Sequence, residues 1–519
     1  MKKILKNLSL IPDTKDIKII LISFLIINFA FLYHTLNFMW GNHDVKFIKE
    51  ELLFSSGLFE GRFTQFIPYR LFVDGQILPI LNNFIGFTFL TLALWLLAKY
   101  WNIKKSILNY ILFITFFATQ PYTLSWMYFT FITISCLSWT FFAILGLYLS
   151  HQISFSKNKL ILTILSIICF YLPLGGYPPI INTFFVCLSA KITLDYIFEN
   201  KSLKDLFNIY KYTILNILIA TILYKISLNF VPHNDVYNLE TTPIKELPLK
   251  FITCLKISFQ QFLVTVPFME IGYKILLFSM CIIATIGCLL KSKTPKKYFL
   301  SLLFITTTIW FTALTTFLVV PPTEYVSRID FYGFGFLYAF FLCLLLRLTP
   351  KIYESLGLIF CFILIPLNIL NDYHALKIWK QGFDAEFQIL DKVTEKIENH
   401  PLFNSNKKYR IYIAGDISLR PSYYNGKFQK DDVFFYSLPY LAMWQGANLV
   451  QFYSPYNYIS DPSIITPEDI TPEVYNFITK DAHYWPHENS IFINNNIIIV
   501  IYNQYGLEEL KQKIKIFSP

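Results

Sequence analysis

The residues best equipped for chemistry gather in one stretch, Asn37 to Asp74, which reads NFMWGNHDVKFIKEELLFSSGLFEGRFTQFIPYRLFVD. It holds His43, Asp44, Glu50, Glu51, Glu60, Arg62, Arg70 and Asp74, while the segments on either side are almost wholly apolar. At roughly forty residues it is far longer than a connection between two membrane helices requires. Carboxylates beside a membrane are costly to desolvate, so their presence points to work rather than packing. A carboxylate just past an apolar span can take the proton of an acceptor hydroxyl as that hydroxyl attacks a sugar. Asp44 is the first candidate for such a base. His43 stands beside it as an orienting neighbour, and Asp74 is a second acid able to meet substrate. The plain alternative is a solvated loop acid that only assists topology. No HExxH or CxxC spacing accompanies His43, so the pattern leaves a divalent cation open without calling for one.

A guanidinium suits a lipid-linked phosphate because its planar fork offers paired donors and keeps its charge. Arg62, within Gly61-Arg62-Phe63, is one such group, and Arg328, between Glu324 and Asp330, is another. Snorkelling to lipid headgroups is the competing role, and it fits Arg70 better than Arg62. For Arg328 the competing role is a structural ion pair. Gly175-Gly176-Tyr177 breaks a helix end, where two glycines permit close backbone approach to a substrate; a tight inter-helix turn asks for the same residues. Later in the chain, Trp444-Gln445 and His483-Tyr484-Trp485-Pro486-His487 offer rings that stack on sugars or simply pack. His483 and His487 would share a metal only if their loop folded back as a helix, which Pro486 discourages.

These groups must be positioned by membrane-spanning helices. The chain has 519 residues, 55% hydrophobic and 15% charged, and a soluble domain of that composition would expose large apolar patches. Runs of about 20 apolar residues recur instead, each long enough for a bilayer core of roughly 30 Å. They predict an all-α polytopic membrane protein with about eleven transmembrane helices. The expected spans lie near 17–36, 79–99, 106–119, 124–149, 160–174, 177–197, 212–231, 271–290, 298–320, 331–347 and 352–370. An interfacial amphipathic helix is expected over 245–262. With the N-terminus inside, basic loops at 99–105, 151–159, 199–211, 291–297 and 347–351 all fall in the cytoplasm. Loops at 37–78, 120–123, 173–179, 232–260 and 321–330 fall outside, as does everything after residue 371. That alternation accounts for the net charge of +10 better than a nucleic-acid partner does. All eight cysteines precede residue 371, so no disulfide framework is indicated in the tail.

The chain therefore divides into a transmembrane catalytic domain, residues 1–371, with its outer loop 37–78, and a small α/β domain over 372–519. In the latter, Phe387, Leu390, Val393 and Ile397 place an amphipathic helix over 384–399. Strands are expected at Tyr409–Ala414, Asn448–Tyr453 and Ile491–Tyr502, the last a hairpin around Asn495-Asn496, and a closing helix near Leu507–Lys515.

One family unites these features in order: an anchor span, an acid in the outer loop after Trp40, Gly61-Arg62 later in that loop, the Leu174-Gly175-Gly176-Tyr177 turn, and Arg328 at a late span entrance. The chain resembles the bacterial Gtr-type glucosyltransferases that modify O-antigen, within the GT-C glycosyltransferase superfamily. The resemblance implies sugar transfer, with glucose the expected sugar, from a polyprenyl-phosphate sugar donor to a lipid-linked or cell-surface glycan such as O-antigen of lipopolysaccharide. It places the reaction on the periplasmic face of the bacterial inner membrane, among membrane lipid. Asp44 maps to the catalytic acid and Arg62 to the arginine of the Gly-Arg pair, and Gly175, Gly176 and Tyr177 map to the mid-chain turn. Two positions depart from the family pattern: Pro178 stands where Gln is usual, and His43 rather than a second acid precedes Asp44. A transporter or flippase of lipid-linked glycans would need polar groups at mid-membrane, and the spans hold few charges. A polymerase would carry its largest loop further along the chain.

Overall fold

Hydropathy dictates where helices form, and local chemistry dictates where they begin. The computed structural model describes residues 10–39, 41, 44, 57–58, 61–104, 106–127, 129–231, 247–264, 271–292, 294–317, 331–415, 449–450, 454, 458–459, 465–494 and 497–517. Helix Thr14–Ala30 starts at a capping box in which Asp13 accepts from the Asp16 N–H and Asp16 answers the Asp13 N–H. Ser202 and Asp205 do the same for Leu203–Leu228, and Thr294 caps Pro295–Trp310. Pro79 and Pro295 occupy first turns, where a missing N–H costs nothing.

Each expected span overlaps a helix among the described residues, with shifted bounds: 212–231 falls on Leu203–Leu228, and 124–149 runs from the end of Pro121–Met127 into Thr130–Gln152. Eight of the helices among the described residues are long and apolar enough to cross a membrane, or nine if the bent pair Ile107–Ala118 and Pro121–Met127 is one span. The remaining segments are shorter. Thr14–Ala30 is followed by a separate Leu32–Leu36 turn, and Phe331–Arg347 begins with a π-helical turn at Phe331–Gly335. The break at Gln120-Pro121 bends its pair by 56°, because proline removes a helical hydrogen bond and crowds the preceding turn. A helix, Leu247–Val264, covers the segment expected to be amphipathic.

By contacts the chain forms two units: Met1–Leu36 with Leu52–Tyr373, and Asn37–Glu51 with His374–Pro519. The polar stretch 37–74 is thereby shared, Asp44 falling in the second unit and Arg62 in the first.

In the first unit the five basic segments meet at one end. Lys99 pairs with Asp16 at 2.9 Å, Lys104 with Glu354 at 2.6 Å and Arg347 with Glu199 at 2.6 Å. Asp195, fully buried, receives Lys191 at 2.8 Å, Lys201 at 2.8 Å and the Tyr210 hydroxyl at 2.7 Å. His151 stacks on Tyr210, and Lys291 and Arg347 both lie over Phe198. Helix Pro79–Tyr100 runs from this end for about 33 Å at 1.5 Å per residue, so residues 62–80 belong to the opposite end.

In the second unit, strands β1 (Tyr409–Ala414), β2 (Tyr458–Ile459), β3 (Ile491–Ile493) and β4 (Ile497–Ile501) form one sheet in the order β2-β1-β4-β3. β1 is parallel to β2 and β4, and β3 is antiparallel to β4. The all-aliphatic β4, an inner strand of this mixed sheet, is buried along its whole length. Helix Gln504–Phe517 covers the sheet with Leu507, Leu510 and Ile514. Its close approach needs Gly506, where a Cβ would lie 2.3 Å from the Ala414 carbonyl carbon and the Gly415 nitrogen.

Two local expectations change. The span near 352–370 and the amphipathic helix over 384–399 are one helix, Lys351–Glu398. Between them only Gly382 disfavours helix, at about 1 kcal/mol, too little to break it. Leu449 and Val450, expected in a strand, are helical; Asn448 and residues 451–453 lie outside the described residues.

Candidate active site

The structure brings the Gly61-Arg62 segment against the Gly175-Gly176-Tyr177 turn. The chemistry of that turn explains the contact. Pro178 and Pro179 have no N–H, so the Leu174 and Gly175 carbonyls lack the donors that a continuing helix would supply. The Gly175 carbonyl instead accepts from the Thr64 N–H at 2.9 Å, and the Thr64 hydroxyl donates to the Leu172 carbonyl at 2.6 Å. A Cβ on Gly175 would meet the Phe63 ring at 2.7 Å, and one on Gly176 would meet the Trp139 indole at 2.2 Å. The space beside both glycines is taken by protein side chains, so what approaches the turn is the outer segment itself.

Arg62 is fixed through its backbone, its N–H donating to the Gly57 carbonyl at 2.9 Å. Gly61 before it has φ +68°, and a Cβ there would lie 2.9 Å from Leu228. The Arg62 guanidinium lies over the Tyr177 ring, 5.2 Å from its centroid. Tyr177 in turn stands edge-on to Trp126 at 5.3 Å and packs on Tyr332 at 5.7 Å. Phe63 continues the cluster against Tyr171 and Tyr224. A cation seated on an aromatic floor, half-buried and tied by its own main chain, is well placed to meet an anion.

Asp44 belongs to the other unit. It is fully buried, and its Oδ2 accepts from the Gly41 N–H at 2.7 Å. His43, Glu50, Glu51, Glu60, Arg328 and Trp444-Gln445 lie outside the described residues. Asp74 ends helix Ile67–Val73 in a left-handed conformation, φ 51°, and pairs with Arg70 at 3.1 Å on the exposed surface. His483 and His487, separated in the sequence reading by Pro486, stack with centroids 4.0 Å apart. Nδ1 of His487 is occupied by the Asn489 N–H at 3.0 Å. Among the described residues no group of three or more His, Cys, Asp or Glu side chains is arranged to hold a metal ion.

Sequence reasoning passed over Trp126 and Tyr332, which hold Tyr177, and the polar residues Gln120, Asn368 and Asp372. Trp126 follows the Pro121 break closely, a signal for a bent helix; nothing local marks the others.

A family model described as glucosyl transferase GtrII matches residues 52–344, which includes Arg62, the Gly175–Tyr177 turn, Trp126 and Tyr332. No curated protein and no solved structure matches the chain.

Proposed function

The chain belongs to the GtrII glucosyl transferase family, and from that premise we propose that it moves glucose from a polyprenyl-phosphate donor to a lipid-linked or cell-surface glycan on the periplasmic face of the inner membrane. The observation that carries this reading is Arg62, seated on Tyr177 at the end of the helical unit opposite its ion-paired basic end. A donor anchored by its lipid presents its phosphate at a bundle end, where a fixed guanidinium can receive it. The acceptor hydroxyl oxygen forms the new bond to the anomeric carbon as the bond from that carbon to the phosphate oxygen breaks. The hydroxyl proton goes to Asp44, and the electron pair leaves on polyprenyl phosphate. Arg62 stabilises the charge growing on that phosphate, with Arg328 the second cation for it. His43 orients Asp44. Tyr177 is the floor under Arg62, Gly175 and Gly176 form the turn that carries it, and Asp74 is a further substrate contact.

The test uses the full chain in lipid nanodiscs with radiolabelled polyprenyl-phosphate glucose and a lipid-linked glycan acceptor. Acceptor-dependent release of polyprenyl phosphate, with label moving to the glycan, is the expected result. Label moving only from a nucleotide sugar would overturn the donor assignment.

A further inference from the structure

At the break of the bent pair Ile107–Ala118 and Pro121–Met127, and on the helix Lys351–Glu398, buried polar groups have no hydrogen-bond partner among the described residues. Gln120 sits in the break, 2% exposed, and neither its amide nitrogen nor its amide oxygen has a hydrogen-bond partner among the described residues. Beside it, the Thr119 hydroxyl accepts from Asn368 Nδ2 at 3.4 Å, while Asn368 Oδ1 accepts from no group among the described residues. One turn further, Asp372 is 1% exposed and neither carboxyl oxygen accepts a hydrogen bond from the described residues. The spacing of four puts Asn368 and Asp372 on one face of their helix. All three residues belong to the first unit.

Unmatched polar atoms inside an apolar bundle are destabilising, and apolar side chains of the same size would pack better. Their burial therefore argues for a ligand. Its location follows from the packing. A Cβ on Gly335 would lie 3.7 Å from the Gln120 amide oxygen, so the Phe331–Gly335 turn is next to Gln120. Tyr332 of that turn packs on both Trp126 and Tyr177, and Tyr177 carries Arg62. The strip thus begins beside the aromatic floor beneath the guanidinium. Its chemistry selects a class of ligand. Carboxyl oxygens accept from hydroxyls, an amide nitrogen donates to them, and an amide oxygen accepts again. A phosphate would meet too many acceptors here, and a prenyl chain would match none.

We propose that Gln120, Asn368 and Asp372 form a strip that binds the hydroxyl groups of the donor's sugar ring. The inference rests on the transferase reading above and adds the part of the donor that the strip holds. The strip lies at the 56° bend between Ile107–Ala118 and the seven-residue helix Pro121–Met127.

The experiment compares thermal shifts of the full chain with two probes, polyprenyl phosphate and polyprenyl-phosphate glucose. Wild type is expected to be stabilised by both, and further by the glucose-bearing lipid. Gln120→Met and Asn368→Leu should melt at or above the wild-type temperature without ligand. They should keep the increment from bare lipid phosphate and lose the extra increment from glucose, with donor KM rising roughly five- to tenfold for each group removed. Asp372→Asn, nearly isosteric, provides the same comparison if an apolar replacement does not fold. Retention of the full glucose increment in these variants overturns the strip and leaves the transferase reading standing. A wild type that gains nothing from the glucose-bearing lipid overturns both.

Discussion

Replacing Arg62 separates a catalytic cation from a packing one. Its backbone N–H bond to Gly57 survives any substitution, so Arg62→Ala leaves the segment tethered. The contact with Tyr177 at 5.2 Å contributes on the order of 0.5–2 kcal/mol for a guanidinium over an aromatic face. What the reaction loses is larger. Removing one preorganised group from a developing negative charge costs about 10²- to 10³-fold in kcat, or roughly 2.7–4 kcal/mol. Arg62→Ala should therefore lower the rate of polyprenyl-phosphate release at least about 100-fold, while the melting temperature falls by only a few degrees. Arg62→Lys should recover part of the rate, since an ammonium supplies charge without the paired donors. Tyr177→Phe keeps the ring and should stay close to wild type. An Arg62→Ala protein that transfers sugar within a few-fold of wild type, at equal expression, would refute the assignment and leave Arg62 as a packing residue.

Asp44→Asn keeps size and the Gly41 N–H bond but cannot take a proton; a fall on the order of 10²-fold in transfer rate is expected, with protein level and donor-induced thermal shift unchanged. Gly175→Ala forces a Cβ to 2.7 Å from Phe63, so stability should drop by about 1–3 kcal/mol, and a Phe63→Leu partner substitution should restore part of it in a melting series. Asp195→Ala strands Lys191, which is only 2% exposed, and should cost about 3–5 kcal/mol, read as lost expression, whereas Asp195→Asn should cost less. Alkaline phosphatase fused to the C-terminus should be active, as a periplasmic tail requires; activity only from a cytoplasmic reporter at that position would reverse the assigned face.

The sequence alone determined the helices and the groups worth testing. Transfer of apolar side chains out of water is additive along a chain, so runs of Leu, Ile and Phe marked where apolar helices lie; the caps at Asp13, Ser202 and Thr294, which set the helix starts, were not read from the sequence. The basic loops also foretold which helix ends would meet, because their carboxylate partners, Asp16, Asp195, Glu199 and Glu354, lie in or beside those same ends. Tertiary structure decided what each group touches. Nothing local to Thr64 says that it will bond a carbonyl at Gly175, or that Phe63 and Trp139 will occupy the space beside the two glycines. Nor does a lone Gln or Asp in a helix reveal whether it faces lipid, water or protein. Gln120, Asn368 and Asp372 became conspicuous only when packing closed over them and left their polar atoms unmatched. Helix propensity and hydropathy act over a few residues, whereas burial is set by segments more than a hundred positions apart, and only the assembled bundle brings those segments together.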